Sequence, residues 1–299
     1  MIFRYYQTQD ISRVVELLQI CFPNKKITAS SFRWKHFSSI HEGLTQAYVA
    51  IEKDKCVSFV CLVPIRLLVL GHPHKIYSCA AQATHPLFRR QGLVKKLTLL
   101  AEKNLGRKTE YVGFSNNNGL RIDLYSKTIN YTVMGQFVTR YFLPLPHNSQ
   151  FRFEEKKGFG HISQHTHSSS VIELELTDQY IEWRFTHNPT AHYRYLRVFL
   201  GKRPLGYIIL QETKSILNIS KILLDEKFID ASLFLSITKH IWSSERKICS
   251  FTYLPNRFWQ SRLPFLSLKK DIPMHLTVKS SKSSLMNKDL WYLTGGDLQ

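Results

Sequence analysis

The stretch that decides the fold is HPLFRRQGLVKKLTLLAEK, residues 85–103. Arg89 and Arg90 lie in a turn that ends at Gly92, and apolar residues then recur at helical spacing to about residue 104. This pattern predicts a turn followed by an amphipathic helix. Backbone N–H groups at the start of a helix, beside cationic side chains, form a site that favours a diphosphate. A solvated turn without a ligand is the alternative interpretation of the same residues.

The residues on both sides of this stretch predict a sheet. Alternating apolar runs at 48–51 and 56–65 predict a hairpin before the helix, and YVGFS at 111–115 predicts a buried strand after it. A short helix is expected at 120–128, and Asp10 is expected to cap a helix near the N-terminus. The element order β-α-α-β-β-β-α-β-α-β, with the main helix crossing between two central strands, predicts an α/β fold with a mixed sheet.

A second α/β unit is predicted to repeat the first. Trp34 in SFRWKHF and Trp183 in IEWRFTHNP lie 149 positions apart, and each is followed by a predicted hairpin. YVGFSNNN has a counterpart in ICSFTYLPN, and a predicted helix precedes each of these two strands. We therefore expect two tandem domains, at residues 1–146 and 170–299, with a linker at 147–169. Chance recurrence of short aromatic patterns is the alternative.

The second copy lacks the arginine–glycine turn. Asp225, Glu226 and Asp230 occupy the corresponding place in LLDEKFIDASLF. Their carboxylates would repel a diphosphate. The sequence therefore predicts that the candidate site lies in the first half and that the second half is a degenerate copy.

The composition limits the class of protein. The formal net charge is +19, which favours polyanionic partners such as nucleic acid, anionic membrane or a phosphorylated cofactor. The longest apolar stretch, residues 56–70, is interrupted by Pro64 and Arg66 and is too short for a membrane span. The 5 cysteines show no CxxC spacing and predict free thiols in a cytoplasmic protein, and the scattered histidines predict no metal site.

The turn and its context resemble a known family. ATHPLFRRQGLVKKLTLLAEK is similar to motif A of the GCN5-related N-acetyltransferases (GNAT), whose pattern is [RQ]-x-x-G-x-[GA]. Arg89, Gly92 and Val94 stand at the three defined positions, and Val94 departs from the small residue of the pattern. FRWKHF, GFSNNN and WYLTGGD resemble landmarks of a bacterial subgroup with tandem GNAT-like halves.

This resemblance implies acetyl-CoA as the cofactor. The diphosphate would lie on the turn, and the pantetheine arm would lie between two central strands, where small residues of SCAAQAT leave room. The implied cofactor-binding residues are Ala83, Thr84, Arg89, Arg90, Gln91, Gly92, Leu93, Val94, Lys95 and Asn116.

The resemblance also implies an acid for the departing thiolate and an acceptor for the amine proton. Tyr125 is the candidate acid, although it lies one residue from the register of the family and Asn130 stands where the family has glycine. Asn116 is a candidate for orienting the arm or a water molecule, and Glu42 is a candidate base. A core tyrosine, a conformational asparagine and a surface glutamate are the alternatives.

Three functions stay open at this point. The first is an N-acyltransferase that moves an acetyl group to a primary amine of a small molecule, such as an amino sugar, or of a protein. The second is a tandem GNAT-type transferase that depends on aminoacyl-tRNA, for which a basic chain would suit the nucleic acid. The third is a non-catalytic scaffold that binds CoA or another polyanion.

Overall fold

A computed structural model shows two compact units, each built from segments that are distant in the sequence. The first unit contains Met1–Arg66, His74–Met134 and His275–Met286, and the second contains Leu67–Pro73, Gly135–Met274 and Asn287–Gln299. The structure describes residues 1–38, 40, 45–106, 109–116, 130–158, 170–264, 266–294 and 297, without the side chains of 115 and 116. The predicted domains at 1–146 and 170–299 stay a prediction.

Both units contain strands and helices. The described strands are β1 (Ile2–Tyr5), β2 (Gln46–Glu52), β3 (Lys55–Val69), β4 (His72–Thr84), β5 (Tyr111–Asn116), β6 (Thr132–Phe142), β7 (Phe151–Lys156), β8 (Ile172–Leu174), β9 (Tyr193–Leu200), β10 (Arg203–Glu212), β11 (Ile216–Leu223), β12 (Ile248–Tyr253) and β13 (Ser267–Lys279). The described α-helices are α1 (Ile11–Cys21), α2 (Ala29–Phe37), α3 (Leu93–Leu105), α4 (Asp178–Ile181), α5 (Ala231–Glu245) and α6 (Arg257–Arg262).

In the first unit the strands follow the order β1-β2-β3-β4-β5-β13. β1, β2 and β3 pair antiparallel, whereas β4 and β5 are parallel because α3 connects them by a crossover. Apolar residues of α1 and α2 pack in one cluster with β2 and β3, and those of α3 pack in another with β2–β5. The predicted mixed α/β sheet with its main helix between two central strands is confirmed.

The second unit uses the same order of elements. Its strands follow β6-β12-β11-β10-β9-β7, in which β9, β10 and β11 pair antiparallel. β11 and β12 are parallel and are joined by α5, as β4 and β5 are joined by α3. α5 packs in the larger apolar cluster, and the π-helical turn Glu182–Thr186 after α4 contributes Phe185 to the smaller one.

Asp10 lies at the N-cap position of α1, as predicted, but its side chain does not cap the helix. Its carboxylate makes no hydrogen bond to the first turn of α1. Instead it is fully buried and accepts two hydrogen bonds from the Arg4 guanidinium, at 2.7 and 2.8 Å, and one from the Gln7 amide at 2.8 Å. The arginine and the amide therefore satisfy the carboxylate before the helix begins.

Within the part of the chain that the structure describes, no helix is long and apolar enough to cross a membrane.

Candidate functional site

Side chains of neighbouring elements hold the C-terminal end of β4 in place. The hydroxyl of Ser58 on β3 donates to the Ala83 carbonyl at 3.0 Å and lies 3.0 Å from the Thr84 hydroxyl. The thiol of Cys21, the last residue of α1, donates to the Thr84 carbonyl at 3.3 Å. The His85 amide donates to the Val57 carbonyl at 2.9 Å. These hydrogen bonds therefore fix the backbone where the turn after β4 begins.

The turn itself runs through residues 86–92. A 3-10 turn at Pro86–Phe88 is followed by Arg89, whose Nε donates to the Thr84 carbonyl at 3.3 Å. Arg90 and Gly92 have positive φ angles of 64° and 69°. Two of three consecutive residues in the turn therefore have a φ angle in the left-handed range. Arg89, Arg90 and Gln91 are exposed. The bond to Thr84 uses only Nε of Arg89, and a guanidinium has further N–H donors that can bind an anion.

Several amides at the start of α3 have no acceptor among the described residues. Gly92 occupies the N-cap position, and no side chain caps the helix. Among the described residues, the first amide after the turn with a backbone acceptor is that of Lys96, which bonds to the Gly92 carbonyl at 3.0 Å. The amides of residues 90–95 therefore remain available, and the positive end of the helix dipole adds to their attraction for an anion.

The buried face of α3 fixes the direction of these amides. Leu93, Leu97 and Ala101 are at most 3% exposed and pack against the strands of the first unit. Val94 is half-buried and packs against the same cluster. Its side chain therefore points toward the core, so the valine in place of the small residue of the family pattern is compatible with an open turn.

β4 and β5 pair in parallel before the turn. Their register joins Tyr77–Tyr111, Ser78–Val112 and Cys79–Gly113. Beyond these pairs β4 continues to Thr84 and β5 to Asn116.

At the corresponding helix start in the second unit, aspartate side chains accept hydrogen bonds from backbone amides. The 3-10 turn Glu226–Phe228 leads into α5 through two residues, Ile229 and Asp230, whereas four residues, 89–92, separate Phe88 from α3. The Asp230 carboxylate accepts a hydrogen bond from the Leu233 amide at 2.9 Å. The Asp225 carboxylate accepts one from the Lys227 amide at 3.2 Å. The Asp230 carboxylate thus occupies this helix start, where its negative charge would repel an anion.

The other candidates from the sequence are not brought to the turn by described contacts. Asn116 is the last residue of β5, and its side chain is not described. Glu42 and Tyr125 lie outside the described residues. The residues that the structure does bring together are Ala83 and Thr84 at the end of β4, and Arg89, Arg90, Gln91, Gly92, Leu93, Val94 and Lys95 in the turn and the first turn of α3.

β13 carries two residues, Thr277 and His275, that the sequence did not indicate as neighbours of β5. Thr277 donates to the Gly113 carbonyl at 3.1 Å, and a Cβ atom on Gly113 would lie 2.8 Å from its hydroxyl oxygen. A side chain at position 113 would therefore require the Thr277 hydroxyl to move. Two residues before Thr277, His275 is 8% exposed. Only the alternation of HLTVK at 275–279 hints at a strand, and nothing in the sequence names its partner.

Burial keeps the thiol of Cys79 on β4 neutral. Cys79 is paired with Gly113 in the register, and burial raises the pKa of its thiol to about 12. Its sulfur lies 3.2 Å from the Tyr131 hydroxyl. Cys79 is therefore protonated at neutral pH and is not a nucleophile in this site.

Comparison with known proteins agrees with this geometry. The family model of the acetyltransferase (GNAT) domain matches residues 3–113, which include β1–β5 and the turn. No curated protein matches the sequence.

Several solved structures share the fold. One is a conserved protein of unknown function from Enterococcus faecalis V583, described as a probable N-acyltransferase, with a TM-score of 0.68, 11% identity, and coverage of 93% of this chain and 72% of that one. A GCN5-related N-acetyltransferase from Anabaena variabilis ATCC 29413 has a TM-score of 0.67 and 14% identity, over 94% of this chain and 74% of that one. A tandem GNAT protein from the clavulanic acid biosynthesis pathway has a TM-score of 0.58 and 10% identity, over 94% and 98%.

Proposed function

We propose that this chain, which has the GNAT fold and a GNAT acetyltransferase domain at residues 3–113, is an N-acyltransferase that uses acetyl-CoA. The observation that carries the proposal is the set of amides at residues 90–95 that have no acceptor among the described residues, in the turn between β4 and α3. The acceptor would be a primary amine of a small molecule, such as an amino sugar, or of a protein.

The turn would bind the diphosphate through two kinds of donor. The amides of residues 90–95 supply N–H groups that have no acceptor among the described residues, and the helix dipole of α3 favours negative charge at its N-terminus. Arg89 and Arg90 add guanidinium donors, and the Nε bond to Thr84 restricts the first of them to the neighbourhood of the turn. Charge-assisted hydrogen bonds of this kind contribute about 1.5–3 kcal/mol each.

The arm of the cofactor would lie between β4 and β5, as the family resemblance implies. Ala80, Ala81 and Ala83 carry only methyl groups and would leave room for it. When bound, acetyl-CoA supplies an acetyl thioester. Ser58 and Cys21 hold the end of β4 and so would fix the distance between the arm and the diphosphate site.

Proton transfer would fall to the residues implied by the family resemblance. Tyr125 is the proposed acid for the departing thiolate, Glu42 the proposed base for the amine, and Asn116 the proposed residue that orients the arm. Positioning alone supplies a large part of the rate of such a transfer, so loss of any one of them is expected to reduce the rate rather than abolish it.

Isothermal titration with acetyl-CoA tests the diphosphate site. Reversing both charges, Arg89→Glu with Arg90→Glu, is expected to weaken binding roughly 100-fold, because two favourable contacts become repulsive. The matched control is Lys269→Glu with Lys270→Glu, an adjacent exposed pair elsewhere in the chain, which should bind as the wild type does. Wild-type protein that gives no heat at millimolar acetyl-CoA would refute the proposal.

A thiol-release assay with a panel of amino sugars, polyamines and peptide amines tests the transfer itself. We expect that CoA is released only when the amine is present, and that this release is lost in the Arg89/Arg90 variant. Binding of acetyl-CoA without turnover of any amine would favour the non-catalytic scaffold. Salt-dependent binding of tRNA without CoA binding would favour the aminoacyl-tRNA-dependent transferase.

A further inference from the structure

Two exposed aliphatic side chains lie side by side on one face of the sheet in the second unit. Phe142 on β6 is paired in the register with Cys249 on β12, and both belong to the larger apolar cluster. Successive residues of a strand point to opposite faces of a sheet. Leu143, which follows Phe142, and Ile248, which precedes Cys249, therefore lie beside each other on the face opposite to this cluster.

β13 adds two leucines to the same face. The hydroxyl of Ser267 accepts a hydrogen bond from Nη1 of Arg140 at 2.7 Å. Arg140 and Phe142 are alternate residues of β6 and share the face of the apolar cluster. Because Leu266 and Leu268 flank Ser267 in the chain, they lie on the opposite face, which the first two side chains occupy.

All four side chains are exposed to solvent. The exposed fraction is 47% for Leu143, 46% for Ile248, 58% for Leu266 and 66% for Leu268. Large apolar side chains that are exposed next to one another on a protein surface mark an interaction site. We call these four residues the apolar sheet face.

Basic side chains lie at both ends of the apolar sheet face. Lys214 lies in the turn before β11, and the carbonyl of the next residue accepts a hydrogen bond from the Ile248 amide at 3.4 Å. Arg246 lies two residues before Ile248, and Lys270 lies two residues after Leu268 on the same strand. Lys214, Arg246 and Lys270 are exposed, and none of them has an ion-pair partner among the described carboxylates. Their positive charge is therefore not neutralised locally.

This combination of aliphatic side chains and a basic rim favours one kind of partner. Aliphatic side chains insert at the boundary between lipid headgroups and acyl chains, while lysine and arginine contact anionic headgroups. A second copy of the chain would bring two basic rims together, with a net charge of +19 on each copy. Nucleic acid would use the cations, but the four aliphatic residues offer no ring on which a base could stack. We propose that the apolar sheet face docks on a membrane of anionic phospholipid.

Co-sedimentation with lipid vesicles tests the contribution of the leucines. The vesicles contain phosphatidylcholine and phosphatidylglycerol in a ratio of about 7:3. Leu266→Ser with Leu268→Ser is expected to weaken vesicle binding about 10- to 100-fold, because two aliphatic side chains no longer enter the bilayer. The matched control is Ile2→Ser with Ile20→Ser, two residues of the first unit that are 62% and 43% exposed, and it should bind as the wild type does.

The same assay tests the basic rim. Lys214→Glu with Lys270→Glu is expected to weaken binding at least about 10-fold at low salt, because both charges then repel phosphatidylglycerol. The control is Lys25→Glu with Lys26→Glu, an exposed pair in the first unit that makes the same change of net charge. All substituted side chains are exposed, so the melting temperature should equal that of the wild type in each variant. Vesicle binding that is lost equally in the two lysine variants would overturn the role of the rim.

Three results would overturn the proposal as a whole. The first is wild-type protein that stays in the supernatant with anionic vesicles at low salt. The second is a Leu266/Leu268 variant that binds vesicles as tightly as the wild type. The third is a dimer or an RNA complex that the wild type forms and this variant loses while neither protein binds vesicles, which would assign the face to a second copy or to nucleic acid. None of these readouts involves acetyl-CoA, so the proposal stands or falls separately from the proposed function.

Discussion

Gly92 connects the turn to α3 with a φ of 69°, in the left-handed region, and a Cβ atom there would meet no atom within 4 Å. Replacing it with alanine therefore costs only backbone strain, about 1–2 kcal/mol. We expect Gly92→Ala to lower the melting temperature modestly and to weaken acetyl-CoA binding about 10-fold, since relief of the strain turns the amides of residues 93–95 away from a common point. Titration calorimetry and thermal unfolding measure the two effects.

Gly106 provides the matched control at the other end of the same helix. It has a φ of 95° and likewise has nothing within 4 Å of its Cβ position. Gly106→Ala should destabilise the protein more than Gly92→Ala, because its ψ of 152° lies in a region that is essentially restricted to glycine, but it should leave acetyl-CoA binding unchanged. Equal loss of binding in the two variants would mean that Gly92 acts only through stability.

At the scale of residues, the sequence predicted the components of the candidate site but not how they are held. Arg89, Arg90 and Gly92 were expected in a turn before a helix, and the structure places them there. The bond from Arg89 to the Thr84 carbonyl could not be foreseen, because it depends on where the turn brings the guanidinium. The core-facing direction of Val94 likewise follows from the packing of α3.

At the scale of elements, the two crossover helices differ in how they begin. α3 starts at an uncapped glycine, whereas α5 starts at Asp230, whose carboxylate accepts from the Leu233 amide. Asp230→Ala should therefore cost about 1 kcal/mol of stability, the usual cost of losing a cap, and leave acetyl-CoA affinity unchanged. Chemical denaturation and calorimetry on one preparation test both statements. A change in CoA affinity would mean that the second helix start takes part in binding.

A second element-scale prediction concerns the start of α1. The hydrogen bonds from the Arg4 guanidinium to the buried Asp10 hold the pKa of that carboxyl below its usual value. Its stabilising contribution is thus complete at neutral pH and is lost as the pH falls through the lowered pKa. We expect Asp10→Asn to cost about 2 kcal/mol at pH 7 and to bring the mutant and wild-type curves of unfolding free energy against pH together in acid. A difference independent of pH would contradict this origin.

Local elements such as α3 could be predicted from the sequence, but the pairing of distant strands could not. α3 was expected at about 92–104 and is found at Leu93–Leu105, because its apolar spacing and flanking glycines are local signals. The neighbour of β5 could not be predicted, since β13 follows it by more than 150 residues and short-range patterns do not specify such a partner. His275 was missed for the same reason.

At the scale of the whole molecule, the net charge of +19 attracts anionic ligands such as acetyl-CoA through long-range electrostatics. Arg89 and Arg90 are exposed, so mobile ions screen their attraction for a diphosphate. Acetyl-CoA affinity should fall several-fold between about 50 and 300 mM salt in the wild type and much less in a variant with both arginines changed to alanine. An equal salt dependence in both proteins would assign the effect to the other basic residues.

The repeated order of elements was visible in the sequence because each half carries its own tryptophan, hairpin and crossover helix. What the sequence did not show is that each compact unit contains segments from distant parts of the chain, such as His275–Met286 in the first. Such an arrangement depends on which strands pair during folding. The alternation of apolar residues within a strand shows which face is buried but does not specify which strand pairs with it.

A crystal structure of the protein with bound CoA tests the central claim most directly. The account predicts diphosphate oxygens within about 3.2 Å of backbone nitrogens among residues 90–95, with the arm between β4 and β5. CoA bound elsewhere while these amides face water, or a turn that stays empty at saturating CoA, would contradict it.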